Sequence, residues 1–185
     1  MTAELFLTRF KESIYQQDDL IDVWNNTKSF TELIMSRLEN ILTEDGIKTE
    51  REYFRVDLIS YKTQSNKEPL LGNLQSYSWD LITAVEHEND YRLWVDEVVK
   101  LSHLSCPLRV VIGYLPKNDT NTHYDYLQKV SETLNNIDAW KYTKKCGSFL
   151  IIIGDCKLTK DKQDRCVYTP YIYEYDKEAF IKTEW

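Results

Sequence analysis

Apolar residues recur at helical spacing at the start of the chain. Leu5, Phe6, Phe10 and Ile14 predict a first amphipathic helix, followed by a short turn through Asp18–Trp24. Ser29 and Glu32 have the spacing of a capping box, and Phe30, Leu33, Ile34, Leu38, Ile41 and Leu42 continue as a stripe up to Gly46. The period then changes to two. Residues 53–61 (YFRVDLISY) and 79–88 (WDLITAVEHE) read as strands. Tyr91, Trp94, Val95, Val98 and Leu101 predict a helix over about 90–104, and 108–115 (LRVVIGYL) is apolar enough for a buried central strand. Strand, helix and strand in that order favour parallel pairing. A further helix is expected near 120–138, then a short buried strand at Phe149–Ile153. Residues 166–175 read as another strand, and Pro170 suggests a sheet edge there. The order predicts an α/β fold with a central mixed sheet flanked by helices.

Composition narrows the picture. The chain has 185 residues, 42% hydrophobic and 29% charged, with five Gly and four Pro. These values suit one globular domain over 1–185, without linkers or repeats. The net charge of −7 argues against a broadly basic nucleic-acid coat or a polybasic membrane binder. No apolar run is long enough to span a bilayer, and the first residues lack the pattern of a secretory signal, so a cytoplasmic protein is expected. Cys106, Cys146, Cys156 and Cys166 form no C-x-x-C pair and are expected to be free thiols, with a Cys156–Cys166 bridge across a hairpin as the alternative.

The candidate chemistry lies in the second strand. Glu86 and Glu88 are two apart, so both face one side, and His87 faces the other. Crowded carboxylates repel, and a hard cation such as Mg²⁺ or Mn²⁺ between them removes that cost. Asp57, an acid in the middle of an apolar strand, is the best third ligand. Asp80 lies too far along the same strand from Glu86 to share an ion with it. The plainer readings are a solvated strand end for Glu86 and Glu88, an edge position for Asp57 and a capping role for Glu32. His87, His103 and His123 have no metal-ligand spacing.

Helix 29–44, Asp57 in VDL, Glu86-His87-Glu88 on the next strand, helix 90–104 and strand 108–115 together resemble the PD-(D/E)XK nuclease superfamily, of restriction-endonuclease-like fold. The resemblance covers about 29–115 and rests more on element order than on the short motif. Val56 replaces the Pro before the Asp, and Glu88 stands where the family has Lys. Lys100 on the following helix is a substitute source of positive charge, although an i,i+4 surface pair with Asp96 is the expected role. The resemblance implies phosphodiester hydrolysis of DNA, less readily RNA. Asp57 and Glu86 would hold one or two Mg²⁺ or Mn²⁺ ions, and Glu88 would position or deprotonate water.

The segment 141–166 carries seven basic residues against three acidic ones. Lys144, Lys145, Lys157, Lys160, Lys162 and Arg165 are the candidate phosphate contacts. Two other readings stay open. One is an inactive relative that binds protein or nucleic acid. The other is a small acidic interaction protein, of the immunity or anti-restriction kind. Tyr171, Tyr173 and Tyr175 alternate and are expected to pack along one strand face.

Overall fold

The computed structural model describes residues 1–15, 17–63, 79–115, 122–156 and 166–185. Helix α1 (Ala3–Ser13) begins at Thr2, whose side chain accepts the Leu5 N–H. It buries Phe6, Leu7 and Phe10, while Leu5 of the expected stripe is 38% exposed. The expected turn after it contains the short helix α2 (Asp18–Val23). Helix α3 (Thr27–Leu42) is capped by Asn26, which accepts the Ser29 N–H at 3.1 Å. The Ser29–Glu32 capping box is thus displaced: a cap one turn earlier places Ser29 inside the helix. Glu32 instead pairs with Arg51 at 2.9 Å.

Seven strands form one sheet whose spatial order repeats the chain order. They are β1 (Lys48–Tyr53), β2 (Val56–Thr63), β3 (Trp79–Glu88), β4 (Leu108–Tyr114), β5 (Ser148–Cys156), β6 (Cys166–Glu174) and β7 (Ala179–Lys182). Strands β1, β2 and β3 form an antiparallel meander, β3–β4–β5 are parallel, and β6 and β7 return antiparallel. The parallel crossovers are α4 (Trp94–Ser102) and the pair α5 (Thr122–Asn135) and α6 (Asp138–Thr143). The α/β architecture with a central mixed sheet is therefore as expected.

Alternation along the strands builds two apolar layers. Leu58, Val85, Val110, Ile112, Leu150 and Ile152 pack against α1 and α3. Ile59, Ala84, Val111, Ile151 and Ile153 pack against α4, α5 and α6. Tyr173 lies in this second layer, with Tyr171 and Tyr175 packed against it, so the alternating tyrosines do form a packed face. Arg109 is fully buried at the start of β4, with no carboxylate partner among the described residues. Its guanidinium donates to Gly147 O at 3.1 Å and lies 5.0 Å from the Trp140 ring and 5.2 Å from the Phe149 ring.

Three expectations change. The strand expected at 53–61 is a hairpin, because β1 carries too few apolar residues to register as a strand (its six residues are KTEREY). The turn Phe54-Arg55, closed by the Tyr53–Val56 pair, puts both central residues at positive φ, 49° and 66°. Hairpins with two such residues normally use Asn-Gly. Holding Phe and Arg there costs about 1–3 kcal/mol each. Second, β6 is not an edge strand. The short β7 pairs only with Tyr171–Glu174, so Pro170 lies just outside that ladder, where its carbonyl accepts the Thr183 N–H at 3.0 Å. Third, β7 and α6 are too short to show a period in sequence. Cys106 is a buried free thiol, pushed up by burial to about 11, and Cys146 is free and exposed. The ladder sets Cys156 opposite Cys166.

Candidate active site

The β2–β3 register pairs Leu58 with Val85, which sets Asp57 opposite Glu86 on the face covered by α4. Asp57 Oδ2 accepts the backbone N–H of His87 at 2.8 Å, which fixes its carboxylate against β3. The Asp57 and Glu86 carboxylates face each other across the ladder and influence each other's protonation. Glu86 is 1% exposed. Burial, then the negative charge of Asp57 and Glu97, pushes its carboxyl up to about 9, although Lys100 opposes this. Burial also raises Asp57, against the pull of the His87 N–H. Of the two, Glu86 holds the proton, because it is the more deeply buried.

Lys100 closes the group. Its ammonium lies 2.8 Å from Glu86 Oε1, donates to Arg55 O at 2.7 Å and pairs with Glu97. Burial pulls its pKa down, but the bonds to Glu86 and Glu97 outweigh that and leave it raised. The expected surface pair with Asp96 is therefore replaced by a contact into the site. The reason is helix phase. At 100° per residue, Glu97 flanks the buried arc of Trp94, Val98 and Leu101, and Asp96 points away from it. Glu97 and the Arg55 carbonyl are members of the cluster that the sequence reading missed, and the helical phase of Glu97 was the available signal.

The crossover helix is seated by packing. Gly113 of β4, in register with Glu88, has no side chain, and the Trp94 ring fills that space. A Cβ at Gly113 would fall 2.7 Å from Trp94 Cγ. This close approach places the N-terminal half of α4, and with it Glu97 and Lys100, over β3.

Glu88 ends β3 on the same face as Glu86 and is half-buried. Its Oε1 accepts the Asp90 N–H at 2.7 Å, which caps the turn into α4. His87 faces the opposite layer, as expected. It is 7% exposed, its Nε2 lies 2.9 Å from the Tyr114 hydroxyl, and Tyr114 lies 3.3 Å from the Tyr168 hydroxyl. His123 contacts the Tyr171 hydroxyl at 2.9 Å, far along the chain from the carboxylates.

Burial holds His87 down to about 3, against 6.5 for a free imidazole. Between those values the unfolded chain binds the extra proton, so His87 makes stability fall as pH drops below about 6.5. At pH 5 this contribution is about 2 kcal/mol. Urea unfolding of His87→Gln at pH 7 and pH 5 is expected to lack that loss. An unchanged difference between the two pH values would show that His87 is not the group responsible.

Of the basic candidates, Lys144 lies in the short turn before β5 and pairs with Glu178 at 3.1 Å, and Lys145 is its exposed neighbour. Both precede the N-terminal end of β5. Glu86 lies toward the C-terminal end of the parallel strands, so these lysines and the carboxylates occupy opposite ends of the sheet. Lys157, Lys160, Lys162 and Arg165 lie outside the described residues.

Among the described residues no group of three or more His, Cys, Asp or Glu is arranged to hold a metal ion, and no helix is long and apolar enough to cross a membrane. Asp57 and Glu86 face each other as a pair of carboxylates. No protein-family model, curated protein or solved structure matches the chain.

Proposed function

We propose that the chain is a metal-dependent nuclease with a restriction-endonuclease-like core, hydrolysing phosphodiester bonds of DNA. The observation that carries this reading is the convergence of Asp57, Glu86 and Lys100 from β2, β3 and α4. A helix, a three-strand meander, a crossover helix and a parallel strand support it as the surrounding frame.

The donor set fits a hard divalent ion. Mg²⁺ is commonly held by one or two carboxylates, with substrate phosphate and water completing the shell. A buried carboxylate facing a half-buried one, both with raised pKa values, is an arrangement that a divalent cation relieves. Asp57 and Glu86 would hold Mg²⁺ or Mn²⁺, which would supply Lewis acidity toward the phosphate and an activated water. The chain's own groups do the rest. The His87 N–H orients Asp57. Lys100, steadied by Glu97 and the Arg55 carbonyl, stabilises charge on the phosphate oxygens, the task the family gives to the Lys missing at Glu88. Glu88 has one oxygen committed to Asp90 and lies one pleat from Glu86, where it can position water.

A second reading is a catalytically inactive relative that binds nucleic acid or protein. It is favoured by one feature: Lys100 already neutralises the buried carboxylates by itself. The two readings separate in a cleavage panel of linear, nicked and single-stranded DNA and RNA with Mg²⁺ or Mn²⁺. Cutting that requires the ion and disappears in Glu86→Ala and Asp57→Asn is the expected result. No cutting, or equal cutting by wild type and variants, would overturn the nuclease reading.

A further inference from the structure

The β1–β2 turn lies beside the carboxylates, at the end of β2 next to Asp57. Phe54 at its tip is 74% exposed, the most exposed phenylalanine of the chain, and Arg55 is exposed beside it. The ring is supported. Phe54 meets Tyr53 edge-on at 4.6 Å, Tyr53 lies 5.0 Å from Trp79, and Trp79 stacks on Tyr61 at 3.7 Å. The turn is also tied to the site, because the Arg55 carbonyl accepts the Lys100 ammonium at 2.7 Å. Glu52, Phe54 and Arg55 all have positive φ, at 54°, 49° and 66°. A strained turn that exposes a large aromatic ring is a functional signal, because Asn-Gly would make the same turn without strain. Antiparallel register brings this tip beside the turn after β3. That turn exposes Tyr91 (43%) and carries Arg92 5.8 Å from the Tyr91 ring.

We infer that the Phe54 tip is a stacking platform for an unpaired base, and that the substrate is single-stranded DNA passing over the Asp57–Glu86–Lys100 group. The inference rests on the nuclease reading and deepens it. The net charge of −7 works against phosphate binding, so affinity has to come from sequence-tolerant stacking on the exposed Phe54 and Tyr91 rings, with Arg55 and Arg92 as the local positive charge beside them. Stacking needs a base free of its partner, so duplex DNA does not gain from it.

The test uses wild type, Phe54→Asn and Phe54→Trp. Asn tolerates left-handed backbone better than Phe, so Phe54→Asn is expected to unfold at or above the wild-type temperature, which removes misfolding as an explanation. Binding of a fluorescein-labelled single strand and of its duplex is followed by anisotropy in Ca²⁺. Phe54→Asn is expected to weaken single-strand binding about 10-fold, with duplex binding unchanged and Phe54→Trp restoring wild-type affinity. Equal single-strand affinity for wild type and Phe54→Asn, or no single-strand binding by wild type, overturns the inference. The same proteins are then given Mg²⁺. Cutting by wild type with no effect of Phe54→Asn on binding leaves the nuclease reading and removes this one. Phe54-dependent binding without cutting keeps the stacking platform but overturns the nuclease reading, and with it the single strand's role as substrate.

Discussion

Glu86→Gln is expected to lower cleavage by on the order of 10²–10³-fold and, at the same time, to stabilise the fold at pH 8 by about 5 kcal/mol. The sign follows from the proton. Glu86 has its carboxyl raised to about 9 in the folded chain, against 4.5 in a solvated glutamate. Between those values the folded state binds the extra proton, so this contribution to stability is full below pH 4.5 and is lost as pH rises toward 9. Gln keeps the shape and never ionises. In EDTA, the variant and wild type should unfold alike near pH 4 and diverge at pH 8. A variant less stable than wild type at pH 8 would mean that Glu86 is ionised and satisfied in the fold. His87 titrates with the opposite slope, and the two windows overlap between 4.5 and 6.5. Wild-type stability should therefore be nearly flat there, and removing either residue should expose the slope of the other.

The same residues show how far the sequence could be read. Asp57 stood out as an acid between Val56 and Leu58 in an apolar strand, and Glu86 because it shares one strand face with Glu88 two residues on. The strands carrying them were legible from period alone. The strand at Lys48–Tyr53 was not, because its side chains are mostly charged and half its positions face water. Lys100 was visible as a candidate but was assigned to Asp96 by counting four residues. Its real partners lie three residues away and on another strand, and pairing of the latter kind exists only once α4 is docked. Lys144 and Lys145 are a different case. Nearness in sequence gathered them with Lys157, Lys160, Lys162 and Arg165, which lie outside the described residues, although a whole strand, β5, separates the two groups along the chain.

Lys100→Met is expected to destabilise the fold by about 3 kcal/mol at pH 8, because it leaves Asp57 and Glu97 without their cation. The loss should be much the same at pH 5, because Glu86 holds its proton at both pH values and rises further without Lys100. Lys100→Arg, which keeps the charge, should recover most of the stability. Cleavage should fall in both variants and further in Met. Thermal unfolding at the two pH values, run beside the cleavage assay, reads all of this. A Lys100→Met protein with wild-type stability at pH 8 would show that the ammonium does not hold the carboxylates together.

A sheet whose spatial order repeats the chain order has a consequence for how the molecule forms. Each strand closes its ladder against the one made just before it, so the early steps join only short loops and cost little chain entropy. Strands β2 and β3 and helix α4 are complete by Ser102, and they hold Asp57, Glu86, Glu97 and Lys100. Once β4 has joined and its Gly113 has seated α4, the acidic cluster is desolvated while the chain from β5 onward is still unfolded. Ionisation of Glu86 then acts on the barrier to folding and not only on the escape from the folded state, so alkaline solution should slow refolding more than it speeds unfolding.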